Sequence, residues 1–195
     1  SINNTVAGID GVNTYNWTVP DRKSQQCLVR VTDNRTAFSE VSDVSNTTFR
    51  IFPQLTLTQP IGGQNVTAKS NDTAIRWNYT GSTINQLNID YSTNGGINWT
   101  NIKSNEAVTN GTTFIWPLVP TVVTNDALVR VYDVDNANIS SSSGTFNIVS
   151  SLKLTTFNGG QNAPVGSTQF ITWSQAASSL VHVSYSLNNG TNWTL

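Results

Sequence analysis

Short runs of alternating apolar and polar residues follow one another along the whole chain, separated by turn-forming residues. Runs rich in β-branched and aromatic residues and bounded by Gly, Asn, Asp, Pro or Ser predict strands. No window keeps a helical period. In the middle of the chain the pattern predicts seven strands, near 54–59, 73–79, 85–92, 97–102, 112–116, 126–134 and 144–149. Seven short strands in about a hundred residues predict an all-β sandwich.

The clearest turn signal joins the third and fourth predicted strands. Asn94-Gly95-Gly96 stands between two apolar runs, and Asn188-Asn189-Gly190 repeats the signal near the end of the chain. Asn and Gly tolerate the positive φ angles that tight hairpin turns require. We therefore expect a hairpin at both places.

The same motifs recur at an interval of roughly a hundred residues, which is the pattern of a tandem repeat. Leu28-Val29-Arg30-Val31 returns as Leu128-Val129-Arg130-Val131. The other recurrences are Thr48-Phe49 with Thr145-Phe146, Leu55-Thr56-Leu57 with Leu152-Lys153-Leu154, Ile75-Arg76-Trp77 with Ile171-Thr172-Trp173, and Tyr91-Ser92 and Trp99 with Tyr185-Ser186 and Trp193. The interval drifts because loops change length more readily than strands do.

The recurrences divide the chain into three parts. The central region (residues 53–149) is one complete repeat, the N-terminal segment (residues 1–52) matches its second half, and the C-terminal segment (residues 150–195) matches its first half. A half-sandwich cannot bury its own apolar faces. We therefore expect the C-terminal segment of one unit to complete the N-terminal segment of the next, so that copies join head to tail. The copies are either stretches of one long chain or separate subunits, and an arbitrary cut with frayed ends is the alternative.

Large side chains at repeated positions on predicted strands are the candidate core. In the central region they are Trp77, Trp99, Trp116, Phe114, Phe146 and Leu128. Their counterparts in the two terminal segments are Trp173, Trp193, Trp17, Tyr15, Phe49 and Leu28. A carbohydrate-stacking platform is the alternative role for clustered tryptophans. Their repetition on regular strands favours the core.

The order of the motifs resembles a known class of immunoglobulin-like repeat. The run from Leu55 through Gly62-Gly63 and Ile75-Arg76-Trp77 to Trp116 and Val129-Arg130-Val131 is similar to the Ser-Thr-rich, KNH-like repeats of microbial surface proteins. This resemblance implies tandem immunoglobulin-like or fibronectin type III-like β-sandwiches. It also implies an extracellular stalk or spacer role, and it brings no catalytic residue.

Two turns refine this resemblance. The usual Asn-Gly-Gly-Glu turn of those repeats reads here Ile61-Gly62-Gly63-Gln64 and Asn158-Gly159-Gly160-Gln161, so the acidic position is replaced. The segment from Ser92 to Trp99 is similar to an Asp-box hairpin, with Asn94 at the position of the aspartate. The resemblance implies that the polar side chain caps the turn while the tryptophan packs beneath it.

The composition indicates a neutral surface. Charged residues make up 11% of the chain and the formal net charge is -1, so no basic excess attracts nucleic acid or an anionic membrane. No apolar run approaches the ~20 residues of a membrane-spanning helix, so we expect no membrane insertion. The one cysteine, Cys27, excludes an intrachain disulfide. We expect it to be a small buried apolar residue, with intermolecular pairing as the alternative.

Glycosylation is the covalent chemistry that the sequence predicts. Twelve Asn-x-Ser/Thr acceptors occur, at Asn3, Asn16, Asn34, Asn46, Asn65, Asn71, Asn78, Asn98, Asn110, Asn138, Asn189 and Asn192. Covalent glycans would solubilise a surface that has few charges and would cover exposed strand edges. The alternative is that these Asn and Thr residues serve turns and strands without carrying sugar.

The arrangement of polar residues predicts neither catalysis nor a cofactor. The single histidine, His182, stands on a predicted strand, and no motif brings two carboxylates together as acid and base. One calcium candidate remains, because Asp133, Asp135 and Asn136 space oxygen ligands alternately in a loop. An ordinary Asx-rich turn is the alternative.

These features together predict a structural protein of the cell surface. We expect an extracellular, glycosylated filament, stalk or surface layer whose partners are copies of the chain itself. A spacer or a carbohydrate-binding adhesion module of a larger secreted protein is the alternative. A sialidase-like enzyme would fit the hairpins, but the sequence lacks the arginine cluster and the acidic pair that such an enzyme needs.

Overall fold

A computed structural model of the chain describes residues 8–33, 35, 41–109, 111 and 113–195. All regular secondary structure in these described residues is β-strand, so the predicted all-β class is confirmed. The strands are β1 Ser24–Cys27, β2 Arg30–Thr32, β3 Ser42–Val44, β4 Phe49–Ile51, β5 Leu55–Gln59, β6 Asn65–Thr67, β7 Ala74–Tyr79, β8 Gln86–Ser92, β9 Thr100–Ala107, β10 Thr113–Ile115, β11 Thr124–Asp133, β12 Ser140–Ser142, β13 Phe146–Val149, β14 Ser151–Leu154 and β15 Trp173–Ala176.

The central region forms a β-sandwich of two sheets. One sheet has the strand order β10-β7-β5, and the other has the order β6-β13-β11-β8-β9, with β12 also paired to β11. The pair β13 and β6 is parallel, whereas β11 is antiparallel to β8, β12 and β13. Apolar residues from both sheets belong to one buried cluster, so the sheets face each other across a single core.

The core follows from the two-residue period of the strands. Ala127, Val129 and Val131 on β11 are fully buried, and the alternate residues of that strand point away from the core. Trp77 and Trp116 are the largest buried side chains. Each large apolar side chain that is fully buried contributes about 1.5–3 kcal/mol, which explains why this region folds as a unit.

Two of the six core residues predicted for the central region lie outside its core. Leu128 is half-buried on the outer face of β11, because its neighbours Ala127 and Val129 take the inward positions. Trp99 is half-buried as well, with the guanidinium of Arg130 lying 4.3 Å from its ring centroid. The prediction was wrong for both residues because a large apolar side chain near a hairpin covers the outer face of a sheet as readily as the inner one.

The predicted strand at 97–102 is misplaced, and two short strands were not predicted. Strand β9 begins only at Thr100 and continues to Ala107, because the turn before it extends through Trp99. Strand β6 has three residues, and β12 consists of three serines without an apolar pattern. Backbone pairing with β13 and β11 holds these two strands in place.

Two-stranded ladders make up the regular structure of both terminal segments. Strand β1 pairs with β4 and β2 pairs with β3 in the N-terminal segment, while β14 pairs with β15 in the C-terminal segment. A single bridge joins Tyr185 to Thr194 near the end of the chain. In the described residues, no helix has the length and apolarity that crossing a bilayer requires.

Candidate assembly interface

The ladder of the N-terminal segment has the same register as a ladder of the central region. Val31 lies opposite Asp43 in the pair β2–β3, and Val131 lies opposite Ser141 in the pair β11–β12. The preceding strand pairs, β1–β4 and β11–β13, each contain an irregularity, between Ser24 and Cys27 in one and between Thr124 and Ala127 in the other. The N-terminal segment therefore has the same strand pairing as β11, β12 and β13, including the irregularity, which is a β-bulge.

A serine clasp accompanies each of these ladders. The Val29 N–H donates to Ser45 Oγ at 2.8 Å, and the Ser45 N–H donates to the Val29 carbonyl at 2.9 Å. The Val129 N–H donates to Ser143 Oγ at 3.0 Å, and the Ser143 N–H donates to the Val129 carbonyl at 2.8 Å. The same serine thus closes the ladder at the same place in both regions.

The C-terminal segment reproduces the first strand pair of the sandwich. Leu154 lies opposite Trp173 in the pair β14–β15, and Leu57 lies opposite Trp77 in the pair β5–β7. Each pair places a leucine and a tryptophan side by side on adjacent strands. The pair β14–β15 therefore matches the pair β5–β7 of the central sandwich.

The predicted hairpins have nearly identical hydrogen bonds. Ser92 Oγ accepts the Gly96 N–H at 2.9 Å, and Asn94 Oδ1 accepts the Asn98 N–H at 2.9 Å. In the second hairpin the same bonds run from Gly190 to Ser186 at 2.8 Å and from Asn192 to Asn188 at 2.9 Å. The side chains of Ser and Asn therefore cap both turns.

Positive φ angles and a tryptophan complete each hairpin. Gly95 and Gly96 have φ angles of 66° and 87°, whereas Asn189 and Gly190 have φ angles of 53° and 82°. A Cβ atom at Gly96 would lie 3.4 Å from the Trp99 ring, and one at Gly190 would lie 3.6 Å from the Trp193 ring. Each tryptophan thus packs against the glycine of its own turn.

The regions differ in what covers these strands. Val131 is fully buried, but the matching Val31 is 72% exposed. Trp77 is 1% exposed, but the matching Trp173 is 41% exposed. Further exposed apolar residues of the two segments include Val29, Leu152, Leu154, Ile171, Val183, Tyr185 and Trp193. Both terminal segments therefore present sheet faces that the opposite sheet covers in the central region.

The two open segments attach to opposite ends of the central sandwich. Lys23 Nζ lies 2.5 Å from Asp133 Oδ2, at the last residue of β11. The C-terminal segment follows directly after Val149, whose neighbour Ile148 lies opposite Thr124 at the first residue of β11. Ten residues of strand separate the two ends by roughly 30 Å. The two open segments of one chain therefore lie at opposite ends of the central sandwich.

Matching carboxylates have different cationic partners. Asp133 is fully buried and its carboxylate is paired with Lys23, which belongs to the N-terminal segment. The matching Asp33 accepts side-chain hydrogen bonds from Arg35, which lower the pKa of Asp33 to about 2. Asp21 adds a second polar contact between the N-terminal segment and the central sandwich, because its carboxylate accepts the Ser82 N–H at 2.9 Å. This hydrogen bond lowers the pKa of Asp21.

Two of the three side chains of the calcium candidate accept hydrogen bonds within the loop. Asp133 Oδ1 accepts the Asp135 N–H at 3.3 Å, and Asn136 Oδ1 accepts the Asn138 N–H at 3.2 Å, as in an Asx turn. No group of three His, Cys, Asp or Glu side chains suited to a metal ion occurs in the described ranges. His182 lies exposed, and Cys27 is a half-buried free thiol.

The glycosylation acceptors that the structure describes all lie on the surface. Exposed side chains belong to Asn16, Asn46, Asn65, Asn71, Asn78, Asn98, Asn138, Asn189 and Asn192. Asn3, Asn34 and Asn110 lie outside the described residues. A glycan attached at any of the nine would project into solvent without displacing the core of the central sandwich.

The matching ladders and their unequal burial were only partly visible in the sequence. The repeated motifs predict the strand pairs. No sequence motif predicts the hydrogen bonds of Ser45 and Ser143 or the ion pair that Lys23 makes with the central region. Comparison with known proteins finds no matching family model, no similar curated protein and no similar solved structure.

Proposed function

We propose that this chain is a structural component of an extracellular, glycosylated filament, stalk or surface layer built from head-to-tail immunoglobulin-like sandwiches. One observation carries the proposal: the terminal segments keep the strand register of the central sandwich while their apolar faces lie exposed. A face that is patterned for a core but not covered indicates an assembly surface. The partners in the assembly are further copies of the same repeat.

The sheet order supports an immunoglobulin-like unit. A three-stranded sheet β10-β7-β5 packs against a sheet centred on β11 and β8, and β6 runs parallel to the last strand β13. Immunoglobulin-like and fibronectin type III-like domains use a comparable division of strands. The resemblance to the Ser-Thr-rich, KNH-like surface repeats accords with this order, and so does the absence of a helical element from the described residues.

The polar surface supports an extracellular location. Nine exposed Asn acceptors are distributed over the central sandwich and both segments, and charged residues are scarce. A surface with few charges has little electrostatic protection against non-specific association, and attached sugar supplies that protection sterically. Intact mass before and after removal of N-glycans would measure how many acceptors carry sugar. A mass equal to that of the bare chain would contradict the glycosylated part of the proposal.

Electron microscopy of the full chain tests the filament directly. We expect unbranched filaments with an axial repeat of roughly 70 Å, because each repeating unit adds two sandwiches whose longest strand has ten residues. Fibre length should grow with protein concentration. Monodisperse 21.2 kDa particles at all concentrations would contradict the proposal.

Carbohydrate binding is a second candidate function that one observation favours. Trp173, Tyr185 and Trp193 are exposed aromatic side chains in the C-terminal segment, and aromatic faces stack on sugars. Trp193→Ala separates the two candidates when glycan binding and filament length are measured on the same sample. Loss of glycan binding with normal filaments would favour the adhesion or spacer role.

A further inference from the structure

We infer that residues 181–186 of one copy form an antiparallel strand pair with residues 28–33 of a second copy, with His182 opposite Thr32. The pair joins the two open segments into a composite sandwich. This inference rests on the proposed function and specifies its partner and its register. It is derived from the central region, where the corresponding strands already pair.

The register follows from β8 and β11. Tyr132 lies opposite Asn88, and Arg130 lies opposite Asp90. The N-terminal segment reproduces β11 with its bulge and its serine clasp, so Tyr132 corresponds to Thr32. The C-terminal segment reproduces the hairpin that follows β8 bond for bond, so Asn88 corresponds to His182. Transferring the pairing places Thr32 opposite His182.

The inward residues of both strands match in this register. In the central region Val129 and Val131 face the core from β11, while Leu87 and Ile89 face it from β8. The apolar and aromatic residues of the transferred inward set are Val29, Val31, Val181, Val183 and Tyr185, and Asp33 takes the inward position of the buried Asp133. A shift by one residue would turn these side chains to the outer face and bring His182 and Ser184 into the core.

The outer face also matches through a cation–π contact. Arg130 lies with its guanidinium carbon 4.3 Å from the centroid of the Trp99 ring. In the composite sandwich Arg30 of one copy takes the place of Arg130, and Trp193 of the other copy takes the place of Trp99. Trp193 is 65% exposed in the single chain, so its ring face is available for this contact.

Geometry within one chain points to a second copy as the occupant. The N-terminal segment attaches where β11 ends at Asp133, and the C-terminal segment starts beside Thr124 where β11 begins. Roughly 30 Å of strand lies between these ends. A second copy reaches the open face without distortion of the central sandwich.

The described glycosylation acceptors leave the composite pair free. Neither residues 28–33 nor residues 181–186 contain a described acceptor. Asn16 corresponds to Ile115, which is 46% exposed in the central region, so its glycan would project outward from the composite sandwich as well. Sugar and copy-to-copy pairing are therefore compatible on the same chain.

Disulfide trapping between two separately purified full-length chains tests the register. One chain carries Thr32→Cys and the other carries His182→Cys, and both carry Cys27→Ala because Ala127 occupies that position in the central region. Thr32 and His182 are exposed, so neither substitution disturbs the core. Oxidation of the mixture by copper phenanthroline should give a covalent dimer on a non-reducing gel. Each chain alone should give no covalent dimer on the same gel.

An off-register pair is the matched control. Ser184→Cys lies on the same strand face as His182→Cys, but Cα atoms two residues away along the partner strand are too distant for a disulfide. We expect at least ten-fold less dimer from Thr32→Cys mixed with Ser184→Cys. Equal yields from the two mixtures would overturn the register. A disulfide within single chains of the double variant Thr32→Cys/His182→Cys would overturn the second copy as the occupant.

A second variant makes the test independent of trapping. Arg30→Gln should weaken copy-to-copy association about five-fold by sedimentation, because it removes the cation–π contact. Lys103→Gln, on an exposed position of β9, should leave association unchanged. Filaments of the unmodified chain without a selective cross-link would overturn the register while the proposed function stands. Absence of both filaments and dimers would overturn both.

Discussion

The terminal segments contain three strand pairs that match pairs of the central region, and the regions differ in what lies across from those pairs. Leu57 and Trp77 pair in a sandwich, and Leu154 and Trp173 pair in the same register without an opposite sheet. The register is therefore determined locally, by turns, bulges and side-chain caps. Burial is not local, because it requires the second sheet.

This difference separates the two sources of stability in the chain. Backbone ladders and capped hairpins hold the terminal segments in shape, but each net hydrogen bond contributes only about 0.5–1.5 kcal/mol. The central sandwich adds a core that includes Trp77, Trp116 and Phe146. The terminal segments have the residues for such a core, and assembly with another copy would bury them.

Tryptophan truncation should produce the largest contrast between the regions. Trp77→Ala should lower the free energy of unfolding by about 3–5 kcal/mol, because it leaves a cavity in the core. Trp173→Ala should lower it by less than ~1 kcal/mol in dilute solution, where that ring is already partly wet. Urea unfolding followed by circular dichroism measures both. Equal losses would show that the C-terminal segment is already packed.

The junction between the N-terminal segment and the central sandwich should give the next largest effect. Lys23→Met leaves the buried Asp133 carboxylate without its cation, which we expect to cost about 2 kcal/mol. That value is below the usual cost for a buried pair because Lys23 keeps a 27% exposed side chain. A double-mutant cycle with Asp133→Asn measures the coupling free energy. A coupling near zero would contradict the role of this ion pair.

The capped hairpins should differ by a smaller amount. Ser92 Oγ is buried and accepts the Gly96 N–H, so Ser92→Ala should lower the free energy of unfolding by about 1–2 kcal/mol. The matching Ser186 makes the same bond at 2.8 Å but in a wetter hairpin, so Ser186→Ala should cost only a few tenths of a kcal/mol. Thermal unfolding of the two variants provides the comparison, and the opposite ranking would contradict it.

The smallest effect concerns Asp33, a half-buried carboxylate of the N-terminal segment. The Asp33 pKa of about 2 lies below its unfolded value near ~3.9, so its contribution to stability is complete above pH ~4 and is lost as the pH falls through 2. Arg35→Gln should return the pKa of Asp33 toward ~3.9. Carbon-detected NMR titration of the Asp33 carboxyl group measures it. An unchanged pKa in the variant would show that Arg35 is not the cause.

The sequence predicts strands best where apolar alternation is strong. The strands around Trp77, Ile89 and Val131 were predicted to within two residues, since one face of each strand must be buried. The serine strand β12 was missed, because its position depends on pairing with β11 rather than on its own side chains. Trp99 was assigned to the core wrongly, because hydrophobicity alone does not distinguish the two faces of a sheet next to a turn.

The sequence predicts which strands form the candidate interface, but it does not predict the side-chain contacts between the segments and the central sandwich. The repeated motifs identify the strands of both open segments, and Trp173 and Val31 correspond to Trp77 and Val131, which are buried in the central region, so these faces lack a cover. The ion pair of Lys23 with Asp133 could not be predicted, since it joins residues 110 positions apart. The contact depends on how the N-terminal segment packs on the central sandwich, which is a tertiary property.

Hydrogen exchange followed by mass spectrometry, on the unmodified chain across a range of concentrations, tests the central claim most directly. Backbone amides of residues 28–33 and 181–186 should exchange rapidly in dilute solution and become protected together as copies associate, while amides of β8 and β11 stay protected throughout. Unchanged exchange in both terminal segments at all concentrations would contradict the account. Full protection of both segments at the lowest concentration would contradict it equally.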